Sequence, residues 1–155
     1  MARITDIILQ EQKEMDTLVV RTTTKVQDLP MLIGRTYGSI AAYLAELHAV
    51  MADIPFVAYH NMDMQALDVE LGFPVARRLA GRGEIQAGVI PAGLMVSCLY
   101  QGPYSGLEPV YAEMAKWIQD SSHVATGVVY ECYYNGPEYP EQQRLTKIMM
   151  PVQKR

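Results

Sequence analysis

Apolar and polar residues alternate along DTLVVRTTTKV (16–26), and the run is rich in β-branched side chains, which predicts a strand. The period then changes. Leu29, Leu32, Ile33, Tyr37, Ile40, Ala41, Leu44 and Leu47 recur at helical spacing, with Asp28 placed to cap the helix and Pro30 in its first turn. Gly34 and Gly38 lie four apart and would admit a close neighbour. After Pro55, FVAYHN (56–61) and LDVELGFPV (67–75) read as strands. The second sets Leu67, Val69, Leu71 and Phe73 against Asp68 and Glu70, which by this alternation face solvent.

The Gly-rich segment LAGRGEIQAGVIPAG (79–93) reads as a joint, and the pattern then restarts. LMVSCLY (94–100) is a strand. Ser105-x-x-Glu108 has capping-box spacing, and Leu107, Val110, Tyr111, Met114, Trp117 and Ile118 form a helical stripe. GVVYECYYN (127–135) and LTKIMMPV (145–152) are strands around a loop rich in Pro, Glu and Gln. The order β-α-β-β thus occurs twice, as pseudo-repeats 16–78 and 92–153 of one domain spanning 1–155. At an offset of 74, Tyr37 falls on Tyr111, Tyr43 on Trp117, Tyr59 on Tyr133 and Asn61 on Asn135. The expected fold is α+β, with pseudo-twofold symmetry and a central cleft at the seam, a place that favours ligand sites.

Composition narrows the function. Half the chain is hydrophobic and 19% is charged, so it buries a core rather than remaining disordered. A net charge of -4 without a Lys/Arg cluster argues against direct nucleic-acid binding. The chain has neither an apolar run of about 18 residues for a membrane span nor a secretory leader at MARITDIILQEQKEMD, so a cytoplasmic location is expected. Cys98 and Cys132 lack metal-type spacing and are expected to be buried thiols. His48, His60 and His123 offer no tight ligand spacing and are read as surface or capping residues; no metal or cofactor is expected. Ten Met and ten Tyr stand out, the first adaptable in shape, the second flat with a polar tip.

Glu131 is the anomaly. It lies in an otherwise apolar strand, sharing a face with Val129, Tyr133 and Asn135, with Tyr130, Cys132 and Tyr134 opposite. The matched residue of the first repeat is Val57, so repeat packing does not demand an acid. Two readings stand. Glu131 pairs with a basic side chain such as Lys147 or Arg21, or it lines an aromatic pocket. In the pocket, desolvation favours the protonated form, and an incoming cation restores the charge while gaining contact with Tyr faces.

The ordered set TLVVRTTTKVQDLPMLIGRTYGSIAAYLAEL, PFVAYHNMDMQALDVELGFPV, GEIQAGVIPAGLMVSCLYQGPYSGLEPVYAEMAKWI and TGVVYECYYNGPEYPEQQRLTKIMMPV resembles the GyrI-like small-molecule-binding domains, the effector-binding domains of AraC-type and MerR-type multidrug regulators. Its most specific pieces are GPY before a helix and the acid of YECYYN. The resemblance implies two SHS2-like β-α-β-β modules and a central pocket for lipophilic, often cationic, compounds. The family's pocket glutamate carries over to Glu131. Tyr133, Tyr59, Trp117, Tyr43 and Val57 follow as pocket walls.

Regulators of this kind carry a helix-turn-helix region first. Only a short extension precedes the domain here, so a free-standing binder is the leading expectation. The alternatives are a hydrolase of reactive cyclopropane compounds with Glu131 as catalytic acid or base, and a gyrase-inhibitor-like interaction protein. A protein partner would then be gyrase or a DNA-binding regulator.

Overall fold

A computed structural model describes residues 3–155. Met1 and Ala2, where the segment read as lacking a leader begins, lie outside the described residues. The elements are β1 (Ile8–Gln12), β2 (Met15–Thr24), α1 (Leu29–Glu46), β3 (Phe56–Tyr59), β4 (Leu67–Pro74), β5 (Gln86–Ile90), β6 (Gly93–Gln101), α2 (Leu107–Asp120), β7 (His123–Ala125), β8 (Val129–Tyr133) and β9 (Leu145–Lys154). This is a mixed α and β fold of antiparallel strands and two helices. It divides into two compact units, Lys13–Ala92 and a second formed by Gly93–Arg155 with the N-terminal segment up to Gln12.

In the unit Lys13–Ala92 the strands run β3-β4-β2-β5, and α1 covers one face. The register Leu18↔Phe73 puts both residues on the helix side, where Val20 and Val75 join Ile40, Tyr43 and Leu44 in one core. The buried stripe of α1 is Leu29, Leu32, Thr36, Ile40, Tyr43 and Leu44. It turns slightly from the apolar reading, so Thr36 goes inside and Ala41 is exposed.

Gly34 and Gly38 do not seat a neighbour as expected, for a Cβ at either meets nothing within 4 Å. Glycine there only loosens the helix. Gly34→Ala and Gly38→Ala should each stabilise the protein by about 0.5–1 kcal/mol, read as a raised midpoint in urea at unchanged slope.

Glu70 also departs from expectation. Its sheet face carries the buried Val19, Phe56 and Ala58 beside the exposed Arg21 and the half-buried Asp68, so this side is solvated only toward one strand end. Glu70 turns to His60, 2.9 Å away, with both side chains more than four-fifths buried. Alternation separates two faces but does not say which meets water. Asp68, nearer the strand end, accepts both arms of Arg21 at 3.0 and 2.9 Å. These hydrogen bonds hold the Asp68 carboxyl below its ordinary range.

Three strands lay hidden in the sequence, the short β7 (His123–Ala125) among them. The joint 79–93 contains β5, paired with β2 in the register Thr17↔Gly88; a Cβ on Gly88 would meet Thr17 Oγ1 at 2.9 Å. The N-terminal extension contains β1, whose largely exposed residues carry no clean alternation.

In the second unit the strands run β1-β6-β9-β8, with β7 also on β9. Val96, Cys98, Tyr100, Ile148, Met150 and Val152 pack against Leu107, Val110, Met114 and Ile118 of α2. Both cysteines are buried and neither is in a disulfide. Burial pushes the Cys98 thiol up, away from the reactive thiolate.

The caps differ from the sequence reading. Ser105 lies in a 3-10 turn, Tyr104–Gly106, and the N-cap of α2 is Gly106, without a side-chain cap bond. Asp28 likewise caps α1 without one, at the end of the 3-10 turn Val26–Asp28. The turns consume these donors through the backbone, as Gly106 N donates to Pro103 O at 3.0 Å. His123 is buried at the start of β7, near the carbonyl of Ser121 at 2.9 Å.

Candidate ligand-binding site

The approach to α2 is shaped by its glycines. Gly102 has φ +145, a region other residues rarely adopt. The fully buried Tyr100 donates its hydroxyl to Pro103 O at 2.7 Å, and a Cβ on Gly106 would meet that hydroxyl at 2.2 Å. GPYSG is therefore a compact turn that sets Tyr104 and the first turn of α2 in place.

Opposite that turn, Glu131↔Ile148 places Glu131 on the face that packs under α2, because cross-strand partners point to the same side. Cys132↔Lys147 places Lys147 on the other face, and Arg21 is engaged by Asp68. Glu131 is 7% exposed. Tyr133 donates its hydroxyl to Oε1 at 2.8 Å, and Tyr111 of α2 donates to Oε2. Two phenols thus answer both oxygens of the acid, which an acceptor-only carboxylate satisfies well.

The aromatic wall extends outward. Tyr104 packs edge-on against Tyr133, with ring centroids 5.7 Å apart and planes at 63°. The Arg144 guanidinium lies 5.2 Å from the Tyr104 ring. Desolvation holds the Tyr104 phenol above its ordinary value. Trp117, expected as a pocket wall, packs partly buried against the α2 core.

The remaining expected residues lie in the unit Lys13–Ala92. Tyr43 sits in the α1 core, its hydroxyl on Ala80 O at 2.8 Å and its ring under Arg82 at 4.3 Å. Tyr59 and Val57 lie on β3, the latter fully buried.

Sequence reasoning assigned no ligand role to Tyr111 or Tyr104. The signal for Tyr111 was present in its match to Tyr37. Tyr37 donates to the Phe56 carbonyl at 2.8 Å, beside Val57, whereas Tyr111 donates to a side chain at the position matched to Val57. The matched asparagines behave alike. Asn61 clasps its loop through Ala66 O and Asp68 N, and Asn135 through Gln143 O and Leu145 N. Against these shared features the acid is the difference.

Among the described residues no group of three or more His, Cys, Asp and Glu is placed to hold a metal ion. No helix among them is long and apolar enough to cross a membrane.

Glu131, hydrogen-bonded by two tyrosines, lies within a small fold of antiparallel strands and two helices. The chain belongs to the GyrI-like small molecule binding domain family, whose model matches residues 5–153. No curated protein sequence matches it.

Among solved structures it is similar to the C-terminal domain of EcmrR, with 23% identity and a TM-score of 0.84 over 98% of this chain and 99% of that one. EcmrR in complex with DNA matches with 22% identity and a TM-score of 0.83, and there the alignment covers 97% of this chain but only 58% of the longer protein. SAV2435 bound to tetraphenylphosphonium shares 14% identity, with a TM-score of 0.66 over 96% of this chain and 94% of that one. A hydrolase from Listeria innocua shares 12%, with a TM-score of 0.71 over 96% and 92%. At these identities the likeness establishes the fold.

Proposed function

We propose that this protein binds hydrophobic small molecules, lipophilic cations among them, with Glu131 as the charge partner and Tyr133, Tyr111 and Tyr104 as the aromatic surround. The observation that carries the reading is a carboxylate buried under α2 that accepts from the hydroxyls of Tyr111 and Tyr133. Both of these donors are neutral phenols. A cation arriving beside it gains Coulomb attraction in a poorly hydrated place and cation–π contact with the rings. Apolar area supplies the rest of the affinity, at about 25 cal/mol per Å² before ordering costs. The fold shared with SAV2435, which binds tetraphenylphosphonium, makes that cation the first probe.

Thermal unfolding with a panel of lipophilic cations and neutral aromatics tests the reading. A ligand at a hundred times its Kd should stabilise the protein by about 2.7 kcal/mol. A flat response across the panel overturns it.

The same geometry favours a second reading, hydrolysis of a reactive electrophile. Glu131 would take a proton from water, and a tyrosine hydroxyl would polarise the reacting group. Mass spectrometry of a reactive cyclopropane compound should then show turnover that Glu131→Gln abolishes. Equal rates in both proteins remove Glu131 from any such mechanism.

A further inference from the structure

The outer end of the tyrosine wall already holds a cation. Arg144 lies with its guanidinium 5.2 Å from the Tyr104 ring, and Tyr104 packs on Tyr133, which donates to Glu131. The chain of contacts runs from a positive group, across two rings, to a negative one.

Two features fix this arrangement, and they differ in strength. The backbone is clamped firmly, because Gly102 N donates to Arg144 O at 2.9 Å and ties the β8–β9 loop to the GPY turn. The guanidinium is held loosely. Nε donates to Tyr139 O and Nη2 to Pro137 O, each at 3.3 Å, at the long end for such bonds. The charge is therefore brought to the ring by a rigid backbone but retained there by weak contacts. The Tyr104 phenol is raised chiefly by desolvation, lowered by Arg144 and raised by Glu131 and Glu138, so these charges all reach the same hydroxyl.

We propose that Arg144 is a resident cation on the tyrosine wall and sets the site's preference between charged and neutral ligands. This rests on the ligand-binding reading of Glu131. An aromatic face accommodates one cation at a time, so a lipophilic cation approaching Glu131 must displace the guanidinium or bind beside a like charge. A neutral aromatic of the same size meets neither obstacle. The wild-type site thereby favours neutral or weakly basic ligands over permanent cations more than Glu131 alone would dictate.

Isothermal titration with tetraphenylphosphonium and with neutral triphenylphosphine oxide tests this in wild type, Arg144→Gln, Arg144→Lys and Glu131→Gln. Glutamine keeps a donor for the loop carbonyls but removes the charge. Arg144→Gln should bind tetraphenylphosphonium about three- to tenfold more tightly. Its affinity for triphenylphosphine oxide should stay within about twofold. Arg144→Lys, which keeps the charge, should remain close to wild type for the cation, and about 1 M salt should shrink the gain in Arg144→Gln.

Unchanged or weaker cation binding in Arg144→Gln overturns the proposal. So does an equal gain for both probes, which would describe a steric lid. Failure of the underlying reading looks different, because Glu131→Gln would then bind the cation as well as wild type. Absence of binding to every variant overturns both.

Discussion

Glu131→Gln should weaken tetraphenylphosphonium binding by about ten- to a hundredfold while leaving triphenylphosphine oxide within about twofold, since Coulomb attraction between unit charges about 6–10 Å apart at an effective dielectric of about 20 is worth about 1.7–2.8 kcal/mol. Glutamine has nearly the same shape and still accepts a hydrogen bond at its carbonyl, so one of Tyr111 and Tyr133 keeps a partner. What disappears is the negative charge, and a neutral ligand has no use for it. The contrast between the two probes therefore isolates electrostatics from packing. Equal losses for both would mean that the substitution had disturbed the wall; no loss for either would place the ligand elsewhere.

Gly72→Ala should be the most damaging of the glycine substitutions, at about 3 kcal/mol, near the upper end of the usual cost of overpacking. Gly72 sits on β4 between Val19 of β2 and Phe56 of β3. A Cβ there would lie 2.0 Å from the Leu18 carbonyl oxygen and 2.8 Å from Val19 Cγ1. The first clash is with backbone and can be relieved only by moving the strand. The melting temperature should fall by about 2–4 °C per kcal/mol, in contrast to the rise expected at Gly34 and Gly38. A Gly72→Ala protein as stable as wild type would mean that β2 and β4 are less closely apposed than described.

The main elements were legible because their periods are clean. Residues 16–26 and 67–75 alternate, the stripe of Leu107, Val110, Met114 and Ile118 has helical spacing, and the corresponding strands and helix lie there. β1, β5 and β7 were not legible: the first is mostly exposed and mixed in character, the second short and interrupted by Gly88, the third only three residues long. Glu70 shows the limit of alternation, for its burial follows from Val19, Phe56 and Ala58 sharing its face, which no local pattern states.

At the candidate site, Glu131 was conspicuous as an acid in an apolar strand, and strand parity placed Tyr133 beside it. Tyr111 looked like an ordinary member of a helix stripe, and only the register of β8 against β9 turns Glu131 toward it. Arg144 sat in a loop without periodicity, and its placement on Tyr104 depends on the Gly102 clamp.

A crystal structure with tetraphenylphosphonium bound tests the central claim most directly. The phosphonium should lie against the tyrosine rings with Glu131 as its nearest carboxylate. A cation bound well away from Glu131, with Tyr111 and Tyr133 still closed over that acid, would contradict it.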